Sequence, residues 1–463
     1  MHSALDSTTI SSPVVQDRTA KAIGWTKQLL QGTRHYSGVL SIVLLISLGS
    51  KVLGLVREVY ISSRFGVSEI TDSFFGVQQL PVMMMSYMTG AFTLAFVPHY
   101  VVVKAHGRHR QFLRRLLLVL AAITAVATFA MIIGASDVIP SIVGVRSQSH
   151  LVQQFSRVLS GAVLPSAIIG LAFSIFHAER EHGKAMLLST MAPAVMLISL
   201  LGWNHLPGAS FEYALPWSYV IGTALAAVWA AKRVIIALRI AETPDGTSTG
   251  PPPTGLKFVQ QLSAASVENV AFSLNQLLTV HYAALTGAGA IALNAYALRI
   301  AMLPLSGAAT PLNQIVSTWL AKQEFTNRKR AFARALLLAG AAYTLCAVAM
   351  FFSRHPIVRL VYQRGAFSAT DTAYVVQVLS PYALYFLVMA LNQLFARFYF
   401  VAAKGHVYTG VLLAGYLIAN CLKPFGAIHF QLLGVIYAAV IGEGIALVIL
   451  ALLFLRHKAR SCA

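Results

Sequence analysis

Acidic side chains are scarce in this chain: 15 Asp and Glu stand against 35 Lys and Arg in 463 residues, a formal charge of +20. Charge of either sign makes up only 11% of the residues, while 57% are hydrophobic. Soluble domains carry roughly 25% charged residues, so a soluble globular protein is excluded and the chain reads as an integral membrane protein. Its positive excess must be tested against loop topology before it is taken as a sign of nucleic acid. Cysteine is scarce too: Cys346, Cys421 and Cys462 lie far apart without metal-ligand spacing, which excludes a disulfide framework and a zinc site. There is no cleavable signal pattern, because the first long apolar run begins at Gly38. Residues 1–36 are polar and read as a tail, with "AIGWTKQLLQ" a candidate interfacial helix. Large outside loops with paired carboxylates or histidines are also lacking, which argues against a polytopic glycosyltransferase or polymerase.

What is present is apolar sequence in long runs. A helix crossing about 30 Å of hydrocarbon needs about 20 mostly apolar residues. By that criterion there are about twelve spans, with cores at 38–60, 73–103, 116–135, 155–176, 185–203, 213–231, 262–285, 290–319, 335–352, 374–396, 407–422 and 431–455. With the N-terminus in the cytoplasm, 25 Lys and Arg fall on the cytoplasmic side. Six fall outside (Arg64, Arg146, Arg354, Arg359, Arg364, Lys423) and four inside spans (Lys51, Arg57, Arg157, Arg299). The positive-inside rule thus places both termini in the cytoplasm and accounts for the basic excess without a nucleic-acid partner.

Between spans six and seven, "ETPDGTSTGPPPTG" reads as a flexible linker. The halves resemble each other: "RHRQFLRRLLLVLAAIT" from Arg108 and "RKRAFARALLLAGAAYT" from Arg328 align at an offset of 220, which also pairs "VLS" at Val158 with "VLS" at Val378. An offset of six helices gives parallel repeats. The expected organisation is a tail (1–36), an N-lobe (37–240), a cytoplasmic linker (241–258), a C-lobe (259–455) and a C-terminal tail (456–463). The fold class is all-α, two six-helix lobes facing each other across a central cavity.

Several charges sit where lipid should be. At 1.5 Å rise per residue Lys51 lies roughly 20 Å beyond Ser37, and Arg57 roughly 9 Å further. A charge at mid-depth costs about 2.5 to 3.5 kcal/mol on insertion scales, so such cations must line water or meet partners. Glu58, seven residues after Lys51, is placed to neutralise it. Arg57 lies about 120° away on an ideal helix, so bringing both cations to one cavity needs a distortion, with Gly54 the candidate. The alternative is a satisfied ion pair with Arg57 snorkelling to the interface. Arg299 has no acid within ten positions on either side, so its charge must be met from another helix, by water or by a ligand. Arginine's planar fork suits phosphate and diphosphate, the membrane-relevant anions. Gln78, Gln79 and Gln276 are candidate sugar contacts. Glu268 and Glu443, with Asn269, Asn275 and Asn420 as neutral oxygen ligands, are candidates for a coupling Na⁺ or H⁺ site. Asp72 in "ITDSFF" stands where an N-cap acid belongs, and capping of span two is preferred to an ion-binding role.

"SKVLGLVREVYISSRFGVSEITDSFF", then "LP", then "GAFTLAFVPHY", resembles the N-terminal block of the MurJ/MviN lipid flippases, and "VYQRGAFSATDTA" is similar to a second block of that family. The resemblance implies the MOP flippase superfamily fold, a cationic central cavity, alternating access and no covalent chemistry. The implied cargo is an undecaprenyl-diphosphate-linked saccharide, lipid II or a related exopolysaccharide precursor. The implied setting is the bacterial cytoplasmic membrane, alongside glycan-synthesis machinery. It requires no cofactor beyond coupling to a Na⁺ or H⁺ gradient or to the membrane potential. The family's basic positions fall on Lys51, Arg57 and Arg299, and its Thr-Asp acid on Asp72. Two departures favour a paralogue serving an exopolysaccharide or related glycan: Met83, Met84, Met85 and Ser86 stand where the family has span-two arginines, and the chain stops after about twelve spans where lipid II flippases add two helices. The competing reading is a drug or cation antiporter of the related MATE type, against which three cavity cations argue.

Overall fold

Long apolar runs can satisfy their backbone in lipid only as helices, and every long run here is one. The computed structural model describes residues 37–144, 150–203, 205, 210–240, 255–321, 323 and 325–456, and no strand occurs among them. The N-terminal tail, most of the linker and the end of the C-terminal tail lie outside the described residues.

The first lobe contains α1 (Ser37–Phe65), α2 (Glu69–Ala105), α3 (His109–Ile133), α4 (His150–Ser160 and Val163–Ala178, bent by 42°), α5 (His182–Trp203) and α6 (Ala214–Arg239). The second contains α7 (Gly255–Ala284), α8 (Ala290–Pro304 continued by Thr310–Ala321), α9 (Phe325–Phe352), α10 (Ala369–Val401), and α11 (405–430) and α12 (432–456). The last two are separated by Gln431, whose φ of 51° and ψ of −142° break the helix. Among the described residues eight helices are long and apolar enough to cross a membrane, with 405–456 counted once, and bent α4 makes a ninth. The other two, α1 and α7, line the cavity and carry some of its polar groups.

The two lobes pack in the same pattern. α1 packs on α5 as α7 packs on the α11–α12 hairpin, and α4 packs on α6 as α10 packs on that hairpin. The repeat extends to a local irregularity. A π-helical turn interrupts α2 at Met88–Phe92 and another interrupts α8 at Leu305–Ala309, with Gly90 and Gly307 close to the register of the repeat. Such turns release the regular hydrogen-bond ladder and mark where a helix bends.

At the end opposite the start of α1 and the end of α12 the lobes are joined through main-chain carbonyls. The Ala366 amide donates to the Ser63 carbonyl at 2.7 Å, and the Tyr296 hydroxyl donates to the Gly66 carbonyl at 3.1 Å. Gly66 (φ +57°) and Gly365 (φ +59°) adopt left-handed backbone there, and a Cβ on either would strike the other segment's main chain. Toward the other end, the start of α7 rests on the first lobe: Phe258 packs against Phe92, His99 and Phe112. Between these two zones lies a cavity.

Candidate functional site

The cavity has a volume of about 690 Å³ and takes its walls from α1, α2, α4, α5, α6, α7 and α8. Lys51, Arg57 and Arg299 all line it, as do Gln78, Gln79 and Gln276, and no carboxylate is among the lining residues. Met83, Met85 and Ser86 form an uncharged stretch of wall.

Glu58 lies just behind this surface, with its side chain 4% exposed. One oxygen accepts from Arg57 Nη2 at 2.5 Å and from Nε at 3.1 Å, and the other is paired with Arg299 Nη1. The Arg299 guanidinium also lies over the Phe75 ring, 4.3 Å from its centre. A single buried carboxylate thus pins two arginines from different lobes while leaving them 17% and 28% exposed toward the cavity. This corrects two expectations. Glu58 does not neutralise Lys51, which has no ion-pair partner among the described residues. Nor does α1 break at Gly54: the helix runs unbroken from Ser37 to Phe65, and Lys51 and Arg57 both line the one cavity. The group of three cations and one carboxylate keeps a net charge of about +2, all of it facing the cavity.

Asp72 is also reassigned. The cap of α2 is Ser68, in a reciprocal capping box with Thr71: the Thr71 amide donates to Ser68 Oγ at 3.4 Å, and the Ser68 amide to Thr71 Oγ1 at 2.9 Å. Asp72 instead caps the partner lobe. Its Oδ2 accepts from the Gly289 amide at 2.5 Å and its Oδ1 from the Ala292 amide at 2.7 Å, so a buried carboxylate sits at the N-terminus of α8. Amide donors and helix dipole both favour an anion there, and the contact latches the lobes at the end opposite the start of α1 and the end of α12. Losing a capping carboxylate costs about 0.5 to 2 kcal/mol, so Asp72→Ala is expected to shift the closed–open balance of that end roughly 2- to 30-fold. Spin labels at Glu69 and Ala288 check this: wild type should give mainly a short separation, the variant an added longer one, and identical distributions would contradict the latch.

The candidate ion ligands are split among three places. Glu443, 2% exposed, accepts from Tyr385 Oη at 3.2 Å and Asn392 Nδ2 at 3.1 Å, with half-buried Glu268 within electrostatic range. Asn269 packs against the π turn of α2 at Gly90. Asn275 and Asn420 belong to neither group, because their oxygens hold the ammonium of Lys423. Lys423 is therefore no outside-loop residue. It is completely buried within α11. Phe75, Asn294 and Tyr219 are cavity residues that the sequence reading missed. Phe75, three residues after the Thr-Asp acid, had a local signal; the other two had none.

Two related six-helix lobes around a cation-lined cavity define the architecture of a multi-pass membrane transporter. Its fold is that of the MOP superfamily: a multidrug resistance MATE family transporter of that superfamily, inward-facing, superposes with a TM-score of 0.72 at 11% identity, covering 89% of this chain and 97% of that one. The chain belongs to the lipid II flippase MurJ family, whose model matches residues 61–461. A solved lipid II flippase MurJ in an inward closed conformation superposes with a TM-score of 0.76 at 19% identity, over 89% of this chain and 86% of that one. The lipid II flippase MurJ of Burkholderia cenocepacia is 26% identical over 398 residues, 81% of this chain and 75% of that protein. A probable lipid II flippase MurJ of Rhizobium meliloti is 25% identical over 397 residues, 81% and 71% respectively.

Proposed function

We propose that the chain flips a polyprenyl-diphosphate-linked saccharide across the bacterial cytoplasmic membrane by alternating access, with Lys51, Arg57 and Arg299 holding the diphosphate. The observation that carries this reading is the cavity wall itself: three cations line it and no carboxylate does, while Glu58 neutralises only part of their charge from behind. A diphosphate diester bears one negative charge on each phosphate, which complements the residual positive charge, and the forked guanidinium donors suit its oxygens. An organic cation would meet repulsion at every charged position of this wall, which disfavours the MATE-type reading.

Gln78, Gln79, Gln276 and Asn294 offer neutral donors and acceptors to a sugar. The uncharged Met83, Met85 and Ser86 stretch favours a neutral saccharide head, such as an exopolysaccharide precursor, over one carrying further anions. The lobes rock so that the end latched by Asp72 alternately closes and opens, with both termini in the cytoplasm, a reading that the distribution of Lys and Arg supports. The buried Glu443, with Glu268 nearby, is the candidate site for proton coupling.

Reconstituted in liposomes, the chain is expected to flip a fluorescent polyprenyl-diphosphate disaccharide and to leave the matching uncharged glycolipid unmoved. Equal rates for both, or transport of an organic cation instead, would overturn the assignment. Complementation of a strain depleted of its lipid II flippase separates cargoes: growth assigns the peptidoglycan precursor, and no growth despite membrane insertion assigns another saccharide.

A further inference from the structure

Lys423 carries the most deeply buried ammonium among the described residues, 0% exposed and not itself among the residues lining the cavity. Its Nζ donates to the Asn275 main-chain carbonyl at 2.6 Å, to Asn275 Oδ1 at 2.7 Å and to Asn420 Oδ1 at 2.8 Å. An ammonium has three donors, and all three are used. No carboxylate pairs with it among the described residues, so the charge is balanced by carbonyl dipoles alone. Pro424 follows directly and has no amide hydrogen, so the Asn420 main-chain carbonyl lacks its regular helical donor and adds a further outward dipole to the same turn. Rings of neutral carbonyl oxygens in a dry interior are how proteins hold a dehydrated monovalent cation.

We propose that Lys423 is a built-in cation: its ammonium fills an oxygen cage between α7 and α11 of the kind that takes a free Na⁺ or K⁺, tying the two helices together without drawing on an ion gradient. The tie bears on transport through position. Asn275 is followed by Gln276 and preceded two residues earlier by Ser273, both of which line the cavity, so occupancy of the cage fixes that part of the wall. Nothing in this inference depends on which cargo the cavity carries.

The full chain in detergent, tested with NaCl, KCl and choline chloride at matched ionic strength, decides the matter. The wild-type thermal midpoint is expected to be the same in all three salts. Lys423→Ala vacates the cage, so its midpoint should fall in choline and recover, saturably, in Na⁺ or K⁺; adding Asn275→Leu should abolish that recovery. A folded Lys423→Ala protein with one midpoint in every salt would overturn the proposal. Should Lys423→Ala give no folded protein in any salt, the wild-type chain carries the test. An unmoved midpoint, with Asn420→Ala lowered equally in every salt, supports the built-in cation. A wild-type midpoint raised by Na⁺ or K⁺, and no longer raised in Asn275→Leu, overturns it.

Discussion

Arg299→Ala is expected to lower the flipping rate by roughly 10- to 150-fold, the equivalent of a charge-assisted hydrogen bond of about 1.5 to 3 kcal/mol, without loss of membrane insertion. The side chain contributes to the site in three ways: charge in a cavity with no acid on its wall, a planar donor fork, and a fixed direction set by Glu58 behind it and the Phe75 ring beside it. Alanine removes all three, while Glu58 keeps Arg57 as a partner, so the interior is not left with an unpaired carboxylate. Lysine at this position restores charge but neither the fork nor the ring stacking, so Arg299→Lys should recover only part of the rate. Initial flipping rates in liposomes, normalised to inserted protein, check both variants; a wild-type rate in Arg299→Ala would remove Arg299 from the site.

Glu58→Ala should act on both stability and turnover. Breaking a fully buried ion pair costs about 3 to 5 kcal/mol, but both arginines here are partly open to the cavity, which discounts the loss to about 1 to 3 kcal/mol. Without the carboxylate, Arg57 and Arg299 repel each other and the cavity gains one more uncompensated positive charge. A diphosphate should then bind more tightly and leave more slowly, so KM and maximal rate fall together, as expected when cargo is held too well in one state. Glu58→Gln keeps an acceptor oxygen and should lie between the two. Thermal midpoint and flipping rate against cargo concentration are the measurements; a variant with wild-type values of all three would show that Glu58 neither holds nor tunes the arginines.

The twelve helices and their paired lobes were legible because hydropathy over twenty residues is a one-dimensional property, and because the repeat leaves a local mark. The placement of Lys51, Arg57 and Arg299 on a cavity was legible for the same reason: a cation inside an apolar run has few physical outcomes. What the chain did not reveal were partners. Glu58 was assigned to Lys51 by helical spacing, yet it meets its own neighbour Arg57 and an arginine 241 positions away, because long side chains fold back and lobes converge. Asp72 looked like a local cap, but Ser68 takes that place four residues earlier and frees the carboxylate for the other lobe. Lys423 beside Pro424 imitates a loop, and only the packing of α7 against α11 shows the oxygens that bury it.

A structure of the purified chain with a bound polyprenyl-diphosphate saccharide tests the central claim most directly. The two phosphates are expected between the lobes, within hydrogen-bonding distance of Arg299 and of at least one of Lys51 and Arg57, with the sugar toward Gln78 and Gln276. A diphosphate bound outside the cavity, or inside it but away from all three cations, would contradict it.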